Sequence, residues 1–146
     1  MIWFQKYTVE QLEPYTKQRG LVKLLDISII EVGEDFLRVR MPVTPDILQV
    51  INIMHGGATC VLVETAGSFA SRMVLDPNKQ YSVGSQISVN HLRPTKAGAV
   101  IAVCKPVHLG RSKHVWDIPV YSEESGKIIA KGELTCAVID GRPADI

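Results

Sequence analysis

The sequence predicts an α+β fold in which a curved antiparallel sheet wraps one long helix, and three patterns carry that expectation. Ala58, Val61, Leu62, Ala66, Phe69, Ala70, Met73 and Val74 recur at three- and four-residue steps, the period of a helix, in a segment apolar on nearly every side. Four runs rich in β-branched residues follow it, near 81–92, 100–107, 114–121 and 128–139, with turn residues between them. Two more precede it, near 25–30 and 36–41, joined by Gly33-Glu34-Asp35. The 146 residues suit one domain spanning 1–146, and the 46% hydrophobic content is enough for a core without cross-links.

Each element has a local reason. Thr8-Val9-Glu10-Gln11 has the form of a capping box, so a first helix is expected over Val9–Lys17, closed by Gly20. The two early strands then pair as a hairpin. Pro42 and Pro45 interrupt any further ladder and leave a loop through Asn52. The long helix opens after His55-Gly56-Gly57 and ends at Asp76-Pro77-Asn78. In the strand that follows, Val83, Ser85, Ile87, Val89, His91 and Arg93 share one face by period two. Pro94–Gly98, Gly110–Lys113 and Ser122–Gly126 read as turns, and Asp140–Ile146 as a frayed end.

Composition excludes several classes of function. With 16 basic and 15 acidic residues the net charge is +1, which offers no general affinity for nucleic acid or anionic membrane. Three Phe, two Trp and four Tyr are too few for a base-stacking platform over six strands. Cys60, Cys104 and Cys136 are odd in number and widely spaced, as expected of free buried thiols. The histidines at 55, 91, 108 and 114 have no metal-ligand spacing, so no metal site is expected. The N-terminus lacks the pattern of a secretory signal and no apolar run approaches the ~18 residues of a membrane span, so a cytoplasmic chain is expected.

The residues with chemical potential lie around the long helix. His55-Gly56-Gly57 brings a loop to its N-terminus, where free N–H groups either cradle a developing oxyanion or simply complete a tight turn. Glu64, eight residues after Gly56, is a carboxylate in the most apolar helix of the chain, and Ser68 stands one turn further on. Gln49 lies in the preceding loop. His91 and Arg93, with His108, Gly110, Arg111, Ser112, Lys113 and His114, make a local basic cluster suited to phosphates, or a solvated turn.

The stretch "QVINIMHGGATCVLVETAGS" (49–68), with "VGSQISVNHLRP" (83–94) and "CKPVHLGRSKHVWDI" (104–118), resembles the hotdog-fold acyl-CoA thioesterases of the phenylacetate-pathway (PaaI) type. It is most similar to the subgroup of enterobactin-proofreading and dihydroxynaphthoyl-CoA thioesterases. The likeness begins at Met1-Ile2-Trp3 and covers almost the whole chain; Ile51-Asn52 stands where that subgroup commonly has Phe-Gly.

The resemblance implies a homodimer with two composite sites, pairing again into a homotetramer, and no cofactor apart from the coenzyme A carried by the substrate. It assigns Glu64 as general base or nucleophile, Gly56 as backbone donor to the thioester oxygen, Gln49 and His55 as positioning groups, and Ser68 as the hydroxyl that holds water. Gly84, His91, Leu92, Arg93 and Pro94, with the 108–113 loop, fall on segments that bind coenzyme A or its pantetheine arm. The expected substrate is an aromatic or hydroxyaromatic acyl thioester, on coenzyme A or on an acyl or aryl carrier protein. A hydratase or dehydratase using His55 and Glu64, or an acyl-CoA-binding module without turnover, is the alternative.

Overall fold

A computed structural model describes residues 1–142 of the chain. Helix α1 (Val9–Lys17) begins as the capping box requires, with Thr8 N–H donating to Gln11 Oε1 at 3.0 Å and Gln11 N–H returning to Thr8 Oγ1 at 3.4 Å. Gly20 does more than close it. At φ +77° it turns the chain into a second short helix, α2 (Gly20–Leu24). Asp26 then takes a left-handed φ of 49°, so β1 (Ser28–Val32) starts three residues later than the β-branched pattern suggested.

Strand β1 pairs antiparallel with β2 (Leu37–Pro42) across the expected turn, where Gly33 N–H donates to Phe36 O at 2.8 Å. After a 3₁₀ turn (Pro45–Ile47) comes the long helix α3 (Gly56–Val74), then β3 (Gln80–His91), β4 (Ala99–Leu109), β5 (Lys113–Ser122) and β6 (Ile128–Asp140). The six strands form one antiparallel sheet in the order β1-β2-β4-β5-β6-β3, which places β3 at an edge with β6 as its neighbour. A β-bulge between Gly84 and Gln86 interrupts the alternation of β3, so the single face read from Val83 to Arg93 does not persist across it.

The tail reading is also corrected. Asp140 closes β6 and accepts from Gln80 Nε2 at 2.9 Å, while Arg142 donates to Asn78 Oδ1 at 2.9 Å. Residues 143–146, the rest of the expected frayed end, lie outside the described residues.

Helix α3 packs across the sheet, with Leu62, Val63, Ala66 and Ala70 wholly buried. Close approach depends on missing side chains: a Cβ on Gly67 would stand 2.5 Å from Leu134 Cδ2, and one on Gly132 2.7 Å from Val63 Cγ2. Trp3 stacks on Trp116 with ring centroids 6.4 Å apart, tying the N-terminus to the core. Cys104 and Cys136 are buried and Cys60 half-buried, all three free.

One polar cluster lies inside this core. The buried Ser71 of α3 accepts from Trp116 Nε1 at 2.6 Å, and His114 Nδ1 is 3.3 Å from the same hydroxyl. Burial, and secondarily the charge of His108, holds the His114 imidazole below its ordinary range. An unfolded chain protonates this ring near pH 6.5, whereas the folded chain does so only at lower pH. The folded state therefore binds fewer protons in that interval, and its stability falls as pH drops below about 6.5. Urea midpoints at pH 7.5 and 5.5 are expected to show the loss, and His114→Gln to diminish it. The shifted carboxylates Glu10, Asp76 and Glu123 have lowered values, so their contributions are lost only below about pH 4.5 and stay outside this window.

Candidate active site

The loop before α3 is built to deliver a helix terminus. Gln49 N–H bonds Ile53 O at 2.8 Å, Asn52 takes a left-handed φ of 59°, and Met54 N–H reaches Thr95 O at 2.7 Å. The excursion leaves Val50, 97% exposed, and Ile51, 66% exposed, at its tip. His55 caps the helix: Gly57 N–H donates to its Nδ1 at 2.8 Å, so a neutral ring carries its proton on Nε2. Ala58 N–H is taken by His55 O at 2.9 Å. Among the described residues Gly56 N–H has no partner, and the positive end of the helix dipole lies behind it.

A Cβ at position 56 would lie 2.9 Å from His91 Nε2, so the glycine is what lets the end of β3 close over the helix start. Gln49, Met54, Gly56, Thr59, His91 and Arg93 line a cavity here of about 420 Å³. Arg93 is held by its own bond to Ile128 O, 2.7 Å, and Leu92 and Pro94 complete this rim.

Glu64 stands elsewhere. It is half-buried, accepts from Ser68 Oγ at 3.2 Å, and its carboxylate lies against the backbone of Gly84, where any Cβ would overlap Oε1. The bulge that begins at Gly84 opens the strand at the point where the carboxylate rests. With Val22, Phe69, Arg72 and Ser82, Glu64 and Ser68 line a second cavity of about 340 Å³.

The sequence spacing placed Glu64 and Gly56 on roughly one side of the helix. Within one chain, however, they face two different cavities, about 12 Å apart along the axis. The expected coenzyme A segments divide in the same way. His91, Leu92, Arg93 and Pro94 adjoin Gly56, while Gly84 adjoins Glu64. The 108–113 loop lies toward the Glu64 end: Lys113 and Val83 both pair with Ala137, and Val138 N–H bonds Ser112 O at 3.0 Å. His108, Leu109, Arg111, Ser112 and Lys113 are exposed and line neither cavity; Gly110 makes the turn, its N–H on Lys113 O at 2.8 Å.

Phe69 was read from the sequence only as part of the apolar helical period and Arg72 was not singled out, although Arg72 lies at the helical repeat i+8 from Glu64. Among the described residues no group of His, Cys, Asp and Glu is arranged to hold a metal ion, and no helix is long and apolar enough to cross a membrane.

Comparison with known proteins supplies the class of chemistry. The sequence pattern of the thioesterase superfamily matches residues 51–129. The chain is 37% identical to 1,4-dihydroxy-2-naphthoyl-CoA hydrolase of Escherichia coli, over 95% of this chain and 100% of that one. It is equally 37% identical to the proofreading thioesterase EntH of Cronobacter turicensis, over 95% and 99% of the two chains. Its fold superposes on the crystal structure of a Haemophilus influenzae thioesterase with a TM-score of 0.90 at 36% identity, covering 96% of each chain. A glycine-opened helix terminus, a carboxylate on the same helix and this whole-chain likeness have one reading: the chain belongs to the thioesterase superfamily and is a hotdog-fold thioester hydrolase.

Proposed function

We propose that the enzyme hydrolyses aromatic or hydroxyaromatic acyl thioesters of coenzyme A or of a carrier protein, in a site completed by a second copy of the chain. The observation that carries this reading is the division of the site into two halves within one chain. A free helix-terminal N–H with Gln49 and His91 lines one cavity, and Glu64 with Ser68 lines the other.

Between these halves runs the outer edge of β3, twelve residues long and largely exposed, with Val83 44% and Ile87 38% accessible. A long exposed edge with no Lys, Arg, Asp or Glu along it favours pairing with another strand. Antiparallel pairing of two β3 strands about an axis near Ile87 and Ser88 sets Gly84 of one copy opposite the partner's His91. The Glu64 cavity of each copy then meets the Gly56 cavity of the other.

In such a site Gly56 N–H donates to the thioester oxygen as negative charge develops on it. Glu64 either removes a proton from the water whose oxygen bonds the acyl carbon, or attacks that carbon itself. The C–S bond breaks and the departing thiolate takes up a proton; where Glu64 has attacked, water then cleaves the mixed anhydride, releasing the acid and restoring the carboxylate. Ser68 holds the water, and Gln49 and the Nε2–H of His55 orient thioester and thiol. The basic residues at 91–94 and 108–113 accommodate the pantetheine arm and phosphates. We take the assembly to be a dimer that pairs into a tetramer. The setting is taken to be the reducing cytoplasm, which the three free thiols support.

The test is thiol release from benzoyl-, hydroxybenzoyl-, dihydroxynaphthoyl- and medium-chain acyl-CoA, read with a disulfide dye. Faster turnover of the aromatic members is expected. For the shared site, inactive Glu64→Gln and Gly56→Val chains are unfolded and refolded together. Mixed dimers contain one intact site, so about a quarter of wild-type activity is expected to return. Absence of any recovery in assembled mixed dimers would place the whole site within one chain.

A further inference from the structure

The face of α3 that carries Glu64 and Ser68 continues to Arg72, at i, i+4 and i+8. With Phe69, Arg72 forms part of the wall of the Glu64 cavity and also of a smaller hollow of about 140 Å³ lined by Tyr7, Leu12, Tyr15 and Met73. Glu64 and Arg72 are the only charged side chains lining either space among the described residues. Arg72 joins no ion pair among those residues. Tyr7 stands close enough to feel its charge: burial raises the Tyr7 phenol, and Arg72 opposes that rise. Arg72, itself exposed, therefore presents a fork of cationic donors at the end of the Glu64 cavity away from the carboxylate that the mechanism uses, and the Tyr7 phenol lines the adjoining hollow.

We propose that Arg72 is a specificity-determining residue that selects acyl groups ending in a carboxylate. The inference rests on the Glu64 cavity being the acyl end of the site. A guanidinium grips a carboxylate through two parallel N–H···O bonds, a planar fork that a point charge does not offer. The eight-residue step from Glu64 corresponds to about 12 Å of helix axis, shortened by the reach of the arginine side chain. An acyl chain of roughly six to eight carbons, or one ring with a para carboxylate, bridges that span. Glu64 repels such a group only weakly at that distance, while Arg72 meets it directly.

The competing explanation is that Arg72, in the last turn of α3, only complements the helix dipole. That role affects stability and does not distinguish between substrates.

The deciding experiment uses N-acetylcysteamine thioesters, which present the acyl group alike whether coenzyme A or a carrier delivers it in the cell. Two matched pairs are compared: adipoyl with hexanoyl, and 4-carboxybenzoyl with 4-methylbenzoyl. Wild-type kcat/KM is expected to favour the carboxylated member of at least one pair by about tenfold or more. Arg72→Gln is expected to erase most of that ratio, chiefly through KM. Arg72→Glu reverses it, and Arg72→Lys, with charge but no fork, keeps an intermediate ratio. Thermal unfolding of each variant shows whether the chain is folded.

A wild type with no preference in either pair, or a preference that survives Arg72→Gln, overturns the proposal. So does an equal fall on both members, the signature of a helix-end role alone. Glu64→Gln in the same assay separates the two claims. If it keeps turnover, the Glu64 reading fails whatever the Arg72 ratio; if it loses turnover on all four thioesters, that reading stands whether or not Arg72 discriminates.

Discussion

Glu64→Gln is expected to lower kcat for thioester hydrolysis by about 10² to 10⁴ while leaving the protein folded. Glutamine matches the volume of glutamate and keeps an oxygen for Ser68 Oγ, now 3.2 Å from Oε1, but it neither takes a proton from water nor attacks an acyl carbon. The loss corresponds to roughly 3 to 5 kcal/mol of transition-state stabilisation. Thiol release under saturating substrate, with thermal unfolding alongside, checks both halves of the expectation. Retention of more than a tenth of the activity would reassign the catalytic carboxylate.

Gly84→Ala tests the same group from the opposite side. The backbone at Gly84 has an ordinary φ, so alanine meets no conformational penalty there. Its Cβ would overlap Glu64 Oε1 and lie 2.9 Å from Glu64 Cδ. The obstacle is thus the far end of a flexible side chain, which moves at little cost in stability. A catalytic carboxylate displaced by about an ångström loses on the order of 10² in rate. The expected result is a fall in kcat/KM of about 10 to 10² with a stability change below about 1 kcal/mol by urea unfolding. A large loss of stability with unchanged activity per folded molecule would mean that Gly84 serves packing and not the site.

The two substitutions also show how much of the site was readable in the chain. Gly56, His55 and Glu64 stood out locally, because two glycines at a helix start and one carboxylate in an apolar helix are anomalies that burial must explain. That Gly84 is the surface on which Glu64 rests was not readable, since the two meet only when α3 lies along β3. Arg72 had a signal in the helical repeat, but its importance comes from the cavity wall.

Helices α1 and α3 and the general positions of the strands followed from the sequence by itself. Capping boxes, glycine turns and hydrophobic periods act over a few residues and need no distant partner. Where local rules failed, left-handed backbone at Gly20 opened a second helix where only a helix end was expected, and at Asp26 it delayed the strand expected from Leu25.

Tertiary structure alone decided the strand order that leaves β3 at the edge and the buried Ser71, His114 and Trp116 cluster, drawn from positions 43 and 45 residues apart. It also decided the division of Gly56 and Glu64 between two cavities. These are contacts between distant parts of the chain. They are set by how the apolar face of α3 is buried against the sheet, and no local pattern encodes which remote residue will fill the space across from it.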